Sequence, residues 1–306
     1  MTSLLQSYTF QIVALGATLL GAVCGAVGVF SVLKKESLIG DVISHSALPG
    51  ICLAYIITRE KDLVILLLGA LGAGLLANIL ISYTAKKTSI KLDNILALVL
   101  SMFFGLGIVL LTYIKILPGA NKAGLNKFIF GQAAAILKED IYLISGISIV
   151  VLIVLIAYWY KLKLVIFDYT YAKIIYKNKV RFYELLLSFL TVICIVIGLE
   201  MVGVILMSSL IIVPAVSARQ WTDNLVKMTI ISAFVGGISG LLGTVISSSS
   251  LNLPTGPVIV ILLSFFVLVS LVFSPKRGIL RKYLYKKQEQ EKIIKDMLKI
   301  ANGREN

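Results

Sequence analysis

Charge is scarce in this 306-residue sequence: 14% of its residues are Asp, Glu, Lys or Arg, against 58% hydrophobic. That balance excludes an ordinary soluble globule, in which about a quarter of residues are charged. There is one histidine, His45, which rules out the two-histidine H-E-x-x-H helix of metallopeptidases. No G-x-S-x-G context offers a serine nucleophile. No G-x-x-x-x-G-K-[ST] loop is present, so any ATP hydrolysis belongs to a separate polypeptide. The three cysteines, Cys24, Cys52 and Cys194, sit in apolar runs without C-x-x-C spacing. They read as buried thiols rather than a disulfide framework. Acidic residues are few as well, 15 against 29 Lys and Arg, leaving a net charge of +14. In a soluble chain that would suggest nucleic acid. Here the basic residues lie between apolar runs and in the C-terminal tail, where the positive-inside rule accounts for them. Nucleic acid is therefore not an expected partner.

What the chain does have is long apolar runs. Each of about 18 to 25 residues covers a hydrocarbon core of roughly 30 Å as a helix. Backbone groups in lipid must be paired internally, and the alternation of a membrane β-barrel is absent, so the expected fold is an all-α polytopic transmembrane bundle. Candidate spans are 10–33, 38–57, 62–84, 92–114, 140–160, 183–199, 202–218, 228–248 and 256–273. That makes nine, or eight if the region 184–218 is re-entrant. The sixth and seventh are divided around Glu200, with Gly198 and Gly203 supplying the break. The first run lacks a basic flank and is too long for a signal-peptide core, so it is expected to be retained.

With an external N-terminus, the internal loops hold Lys34, Lys35, Lys86, Lys87, Lys91, Lys161, Lys163, Lys173, Lys177, Lys179, Arg181, Arg219 and Lys227. The external loops keep Arg59, Lys61, Lys115, Lys122, Lys127 and Lys138. This asymmetry places the N-terminus outside and the C-terminus in the cytoplasm. Residues 1–275 read as one transmembrane domain and 276–306 as a basic cytoplasmic tail, either a short amphipathic surface helix or a solvated end. Small residues (Gly21, Gly25 and Gly28; Gly69 to Gly74; Gly236 with Gly240) are spaced for close helix contact.

The most informative stretch is Gly40-Asp41-Val42-Ile43-Ser44-His45-Ser46-Ala47-Leu48-Pro49-Gly50. Asp41 and His45 are i and i+4, one above the other on a helix face. Ionisable groups at membrane depth face a bundle interior or a pathway. A carboxylate with an imidazole suits Mn, Fe or Zn. Pro49 removes a helical hydrogen bond and Gly50 loosens the same turn, so the helix is expected to kink after His45. The alternative is an Asp–His hydrogen bond that only fixes packing. Cys52, two turns beyond His45, either lines the same cavity or packs in the core. Glu200 is a gate contact or an ordinary loop acid.

The segment 40–50 resembles the signature of the permease subunits of bacterial ABC importers for manganese, zinc and iron. Further stretches are similar in the same order: Phe128-Ile129-Phe130-Gly131, Phe167-Asp168 to Ala172, Val202-Gly203 through Pro214-Ala215 to Ala218-Arg219, Pro254-Thr255-Gly256, and Phe273-Ser274-Pro275-Lys276-Arg277-Gly278. The resemblance implies a homodimer in the bacterial cytoplasmic membrane, with Asp41 and His45 as metal ligands; Pro49, Cys52 and Glu200 are pathway or gate candidates from their positions alone. It implies partner ATPase subunits that use ATP, and an extracytoplasmic metal-binding protein. Ser217, Arg219, Gln220, Trp221, Thr222, Asp223 and Asn224, within 217–227, would form the helix that docks the ATPase. The chain would not itself be an enzyme. Its cargo would be Mn(II), with Zn(II) and Fe(II) as alternatives, since Leu48-Pro49-Gly50 is typical of manganese/iron-type members. From the residues alone, an ion-coupled secondary transporter or channel using the same pair remains open.

Overall fold

The computed structural model describes residues 8–36, 38–60, 62–116, 138–250, 253–281 and 289, and among them every regular element is helical. The long helices are α1 (Tyr8–Leu33), α2 (Ile39–Thr58), α3 (Leu63–Lys87), α4 (Leu92–Ile116) and α5 (Lys138–Ala157). Two short helices follow, α6 (Trp159–Phe167) and α7 (Tyr169–Tyr176), then a 3-10 turn (Lys177–Lys179). The rest are α8 (Val180–Val202), α9 (Val204–Trp221), α10 (Leu225–Ser250) and α11 (Thr255–Phe273). Phe128-Ile129-Phe130-Gly131 and nearly all of the tail beyond Arg281 lie outside the described residues.

Eight helices among the described residues are long and apolar enough to cross a membrane: 10–33, 39–58, 63–87, 92–116, 139–157, 169–199, 225–248 and 255–273. The expected span 202–218 corresponds to α9, which is not one of the eight. It nevertheless runs between the two ends of the bundle. Its start adjoins Gly256, where a Cβ would stand 2.7 Å from the Val202 carbonyl. Its end is bonded to Ser270, near the end of α11.

The break between α8 and α9 is at Gly203, not around Glu200, which belongs to the last turn of α8. Gly203 has φ 88° and ψ 161°, a conformation that essentially only glycine adopts. Met207 then lies over Gly198, so α9 folds back along α8.

The core is built by close backbone contact. In α1 and α10, Gly21 faces the carbonyl of Gly236 and Gly240 faces that of Ala17; any side chain at these glycines would collide with backbone. Between those levels and the end of α1, Ser232 Oγ donates to the Gly25 carbonyl at 2.6 Å. Small residues thus let van der Waals packing and an interhelical hydrogen bond replace the hydrophobic driving force that lipid does not supply. Gly50 and Gly69 join α2 to α3 in the same manner. Asp168 caps α7, its Oδ1 accepting from the Tyr171 N–H at 2.9 Å. At the basic end, Lys161 lies over the rings of Tyr158 (4.9 Å) and Tyr183 (5.6 Å).

Candidate functional site

Helix α2 begins deep in the bundle. A Cβ at Gly40 would stand 3.2 Å from the Cα of Ser208, which precedes Trp221, the end of α9, by thirteen residues, roughly 20 Å along a helix. Gly74, a similar distance from the end of α3, faces Ile43 at 3.3 Å and Val192 at 3.0 Å from its would-be Cβ. The connection from α1 to α2 therefore dips into the bundle, and Asp41 lies far below the surface although it belongs to the first turn of its helix.

Asp41 and His45 are both half-buried, and Asp41 is close enough to His45 to act on it electrostatically. His45 stands edge-on to Phe104 of α4, with ring centroids 4.8 Å apart and an interplanar angle of 77°. Its Nδ1 is buried without a hydrogen-bond partner. This nitrogen therefore donates no hydrogen bond to the Asp41 carboxylate, the contact that would have explained the pair by packing alone. Ser44 and Ser46 turn inward, each hydroxyl donating to a carbonyl one turn back at 2.6 Å, on Gly40 and Val42. Pro49 sits inside α2, whose helical span continues to Thr58, and its ring packs against Gly107 of α4, where a Cβ would stand 3.1 Å from the proline Cδ. Cys52 is fully buried, with Sγ 4.0 Å from the Gly107 carbonyl. Among the described residues no three His, Cys, Asp or Glu side chains cluster as a metal site. A single chain brings two donors together here.

The second group of expected residues lies at the basic end. Residues 217–227 do not form a separate helix. Ser217, Arg219, Gln220 and Trp221 belong to the last turns of α9, Thr222, Asp223 and Asn224 link, and α10 starts at Leu225. The link is tightly built: Asn224 Oδ1 accepts from the N–H groups of Val226 (3.0 Å) and Lys227 (3.3 Å). The end of α11 clasps it. Ser217 and Ser270 hydroxyls are 2.6 Å apart, Trp221 Nε1 donates to Ser270 Oγ at 3.0 Å, and Ser274 Oγ donates to the Gln220 carbonyl. Asp223 accepts from Lys276 Nζ at 2.9 Å and Arg277 Nη2 at 2.8 Å. The hydrogen bond from Lys276, followed by the charges of Lys276 and Arg277, holds the Asp223 carboxyl below its ordinary 3.8.

Residues 6–274 match the ABC 3 transport family. The chain belongs to this family. Among its relatives is the manganese transport system membrane protein MntC of Bacillus subtilis, 41% identical over 97% of this chain and 68% of that protein. The zinc transport system membrane protein TroC of Treponema pallidum is 43% identical over 90% of this chain and 93% of its own length. The solved structure of PsaBC from Streptococcus pneumoniae in complex with Fab superposes with a TM-score of 0.80 at 30% identity, covering 92% of this chain and 98% of that one. As a member of the ABC 3 transport family the chain is a multi-pass membrane subunit of an ABC transporter.

Sequence reasoning missed Phe104, Ser270 and the partners of Asp223 in this ABC 3 chain. Phe104 lies in an unbroken apolar run, and nothing in its spacing marks it. The motif Phe273 to Gly278 was visible, but that its Lys276 and Arg277 close on Asp223, more than fifty residues earlier, is a property of the fold.

Proposed function

We propose that this chain is the permease of an ATP-driven importer of divalent transition-metal ions, working as a homodimer in the bacterial cytoplasmic membrane with Asp41 and His45 as the cargo's ligands. The observation that carries the reading is the pair itself: half-buried, about 20 Å from the bundle end, with a buried His45 Nδ1 that has no partner. An ionisable pair at that depth is costly if it faces lipid. Two copies meeting at this face would remove that cost and place two carboxylates and two imidazoles around one axis. Such a set, with room for water, suits Mn(II) and replaces part of its hydration on the way through. Zn(II) and Fe(II) accept the same donors, and the relatives' names include both manganese and zinc. Leu48-Pro49-Gly50 is the reason for placing manganese first.

The basic residues gathered at the end that holds Lys86, Lys87 and Arg181 favour a cytoplasmic position for that end, and with it for the clasped link 222–224. There the ATPase subunits, separate chains, would press on Trp221 and Asp223. An extracytoplasmic metal-binding protein would deliver the ion at the opposite end, where Gly203 and Glu200 lie. The basic tail 276–306 would extend from the clasp into the cytoplasm.

The test is metal uptake by the whole transporter. Asp41→Ala and His45→Ala each abolish uptake of radiolabelled Mn(II) while the variant still co-purifies with its ATPase. Wild-type uptake by either variant would remove the site.

A further inference from the structure

At the basic end a cleft of about 430 Å³ opens between the last turns of α3 and the first turns of α8. It lies on the side of α2 that carries Ile39 and Ile43, opposite Asp41 and His45. Its walls are mixed in an ordered way. Apolar side chains exposed to the surroundings, Ile79 (58%), Tyr83 (62%) and Leu185 (48%), form the flanks. Lys86, Lys87 and Arg181 are exposed at the mouth.

The charge does not cancel within the cleft. Lys34 pairs with Glu36 at 3.4 Å, while Lys87 lies 5.9 Å over the Tyr83 ring. Glu184 is the one other carboxylate of the lining, and among the described residues neither it nor Lys86 nor Arg181 has an ion-pair partner. Three cations therefore face one acid, which repels a metal cation and attracts an anion.

The cleft's depth also has a meaning. Its α3 wall runs from Asn78 to Lys87, about 14 Å of helix, and Gly74 against Val192 closes the seam just above it. One leaflet of a bilayer core is about 15 Å. A cationic mouth over apolar flanks, opening sideways between two membrane-spanning helices and floored by Asn78 and the Lys34–Glu36 pair, has at its mouth and flanks the polarity of an anionic phospholipid.

We propose that this cleft is a binding site for an anionic phospholipid, its phosphodiester held by Lys86, Lys87 and Arg181 and an acyl chain lying along Ile79, Tyr83 and Leu185. Basic pockets between helices at the cytoplasmic surface recognise acidic head groups in this manner, each Lys or Arg adding to the attraction. The site needs only the membrane setting and does not depend on which ion is carried.

The experiment uses the full transporter in nanodiscs of mixed phosphatidylglycerol and phosphatidylcholine, extracted gently and weighed by native mass spectrometry. The wild type retains phosphatidylglycerol in preference to phosphatidylcholine. Lys86→Gln with Arg181→Gln lowers that preference on the order of tenfold. Ser82→Phe, which fills the cleft and leaves its charge alone, removes the retained lipid. Equal retention of the two lipids overturns the proposal, as does a preference untouched by both variants. So does a cleft closed by a second copy of the chain, read as interchain cross-linking of Ile79→Cys without bound lipid. Metal uptake is not the readout, so a negative result here leaves the import reading as it stood.

Discussion

The clasp on Asp223 shows how one side chain ties distant parts of the chain together. Its two bonds, from Lys276 and Arg277, join the link before α10 to the residues that follow α11. All three groups are about half exposed, so water screens them and their contribution to overall stability is small. Their contribution is positional. Asp223→Asn is expected to leave the melting temperature nearly unchanged and to loosen ATP turnover from transport, measured as ATP hydrolysed per ion moved. An unchanged ratio would assign the clasp no role in coupling. The pH dependence has a definite sign. Because the folded carboxyl titrates below its ordinary 3.8, the bonds are fully present above that value and are lost as pH falls through the lower, folded one. Between pH 5 and 8 the clasp therefore contributes no pH dependence, and any seen in that window arises elsewhere.

At the scale of elements, the turn from α8 to α9 depends on one residue. Gly203→Ala puts a Cβ into a backbone conformation reserved for glycine and should destabilise the protein by about 1–3 kcal/mol, read as a lower melting temperature in detergent. Gly236→Leu drives a side chain into the Gly21 carbonyl and should cost at least as much by separating α1 from α10. These elements divide by how local their causes are. The spans were legible because burying a helix in lipid requires an apolar run of set length, which composition displays directly. The glycines at 21, 25, 236 and 240 were legible as contact surfaces, but not which surface met which. The break was misplaced by three residues because Gly198, Glu200 and Gly203 all look like interruptions, and only the backbone angle tells them apart. The independent docking helix expected at 217–227 is absent because its first half continues α9 without interruption. Counted along the expected span 38–57, Asp41 falls within one turn of the start. Its depth follows from the inward dip of the preceding loop, a tertiary feature with no period to betray it.

For the whole molecule, the question is what covers the face on which Asp41, His45 and Phe104 lie. On one chain Phe104 is 39% exposed, and Ile108, one turn further along the same face of α4, is 41% exposed. Lipid satisfies those apolar side chains, but it does not satisfy a carboxylate and an imidazole beside them. A second copy would satisfy both, and would turn two donors into four. Chemistry offers a clean probe, since Cys24, Cys52 and Cys194 are all buried, leaving an introduced surface thiol as the reactive one. Phe104→Cys, treated in intact membranes with a short bis-maleimide, should yield a covalent dimer on a denaturing gel. Mn(II) added beforehand should slow the reaction, because a bound ion narrows the space between the two copies and orders the side chains around it. A cysteine at Leu68, which is 61% exposed on α3, serves as the control and should stay monomeric. Cross-linking at both positions alike, or at neither, would mean that this face does not meet its counterpart, and the four-donor site would then have no means of forming.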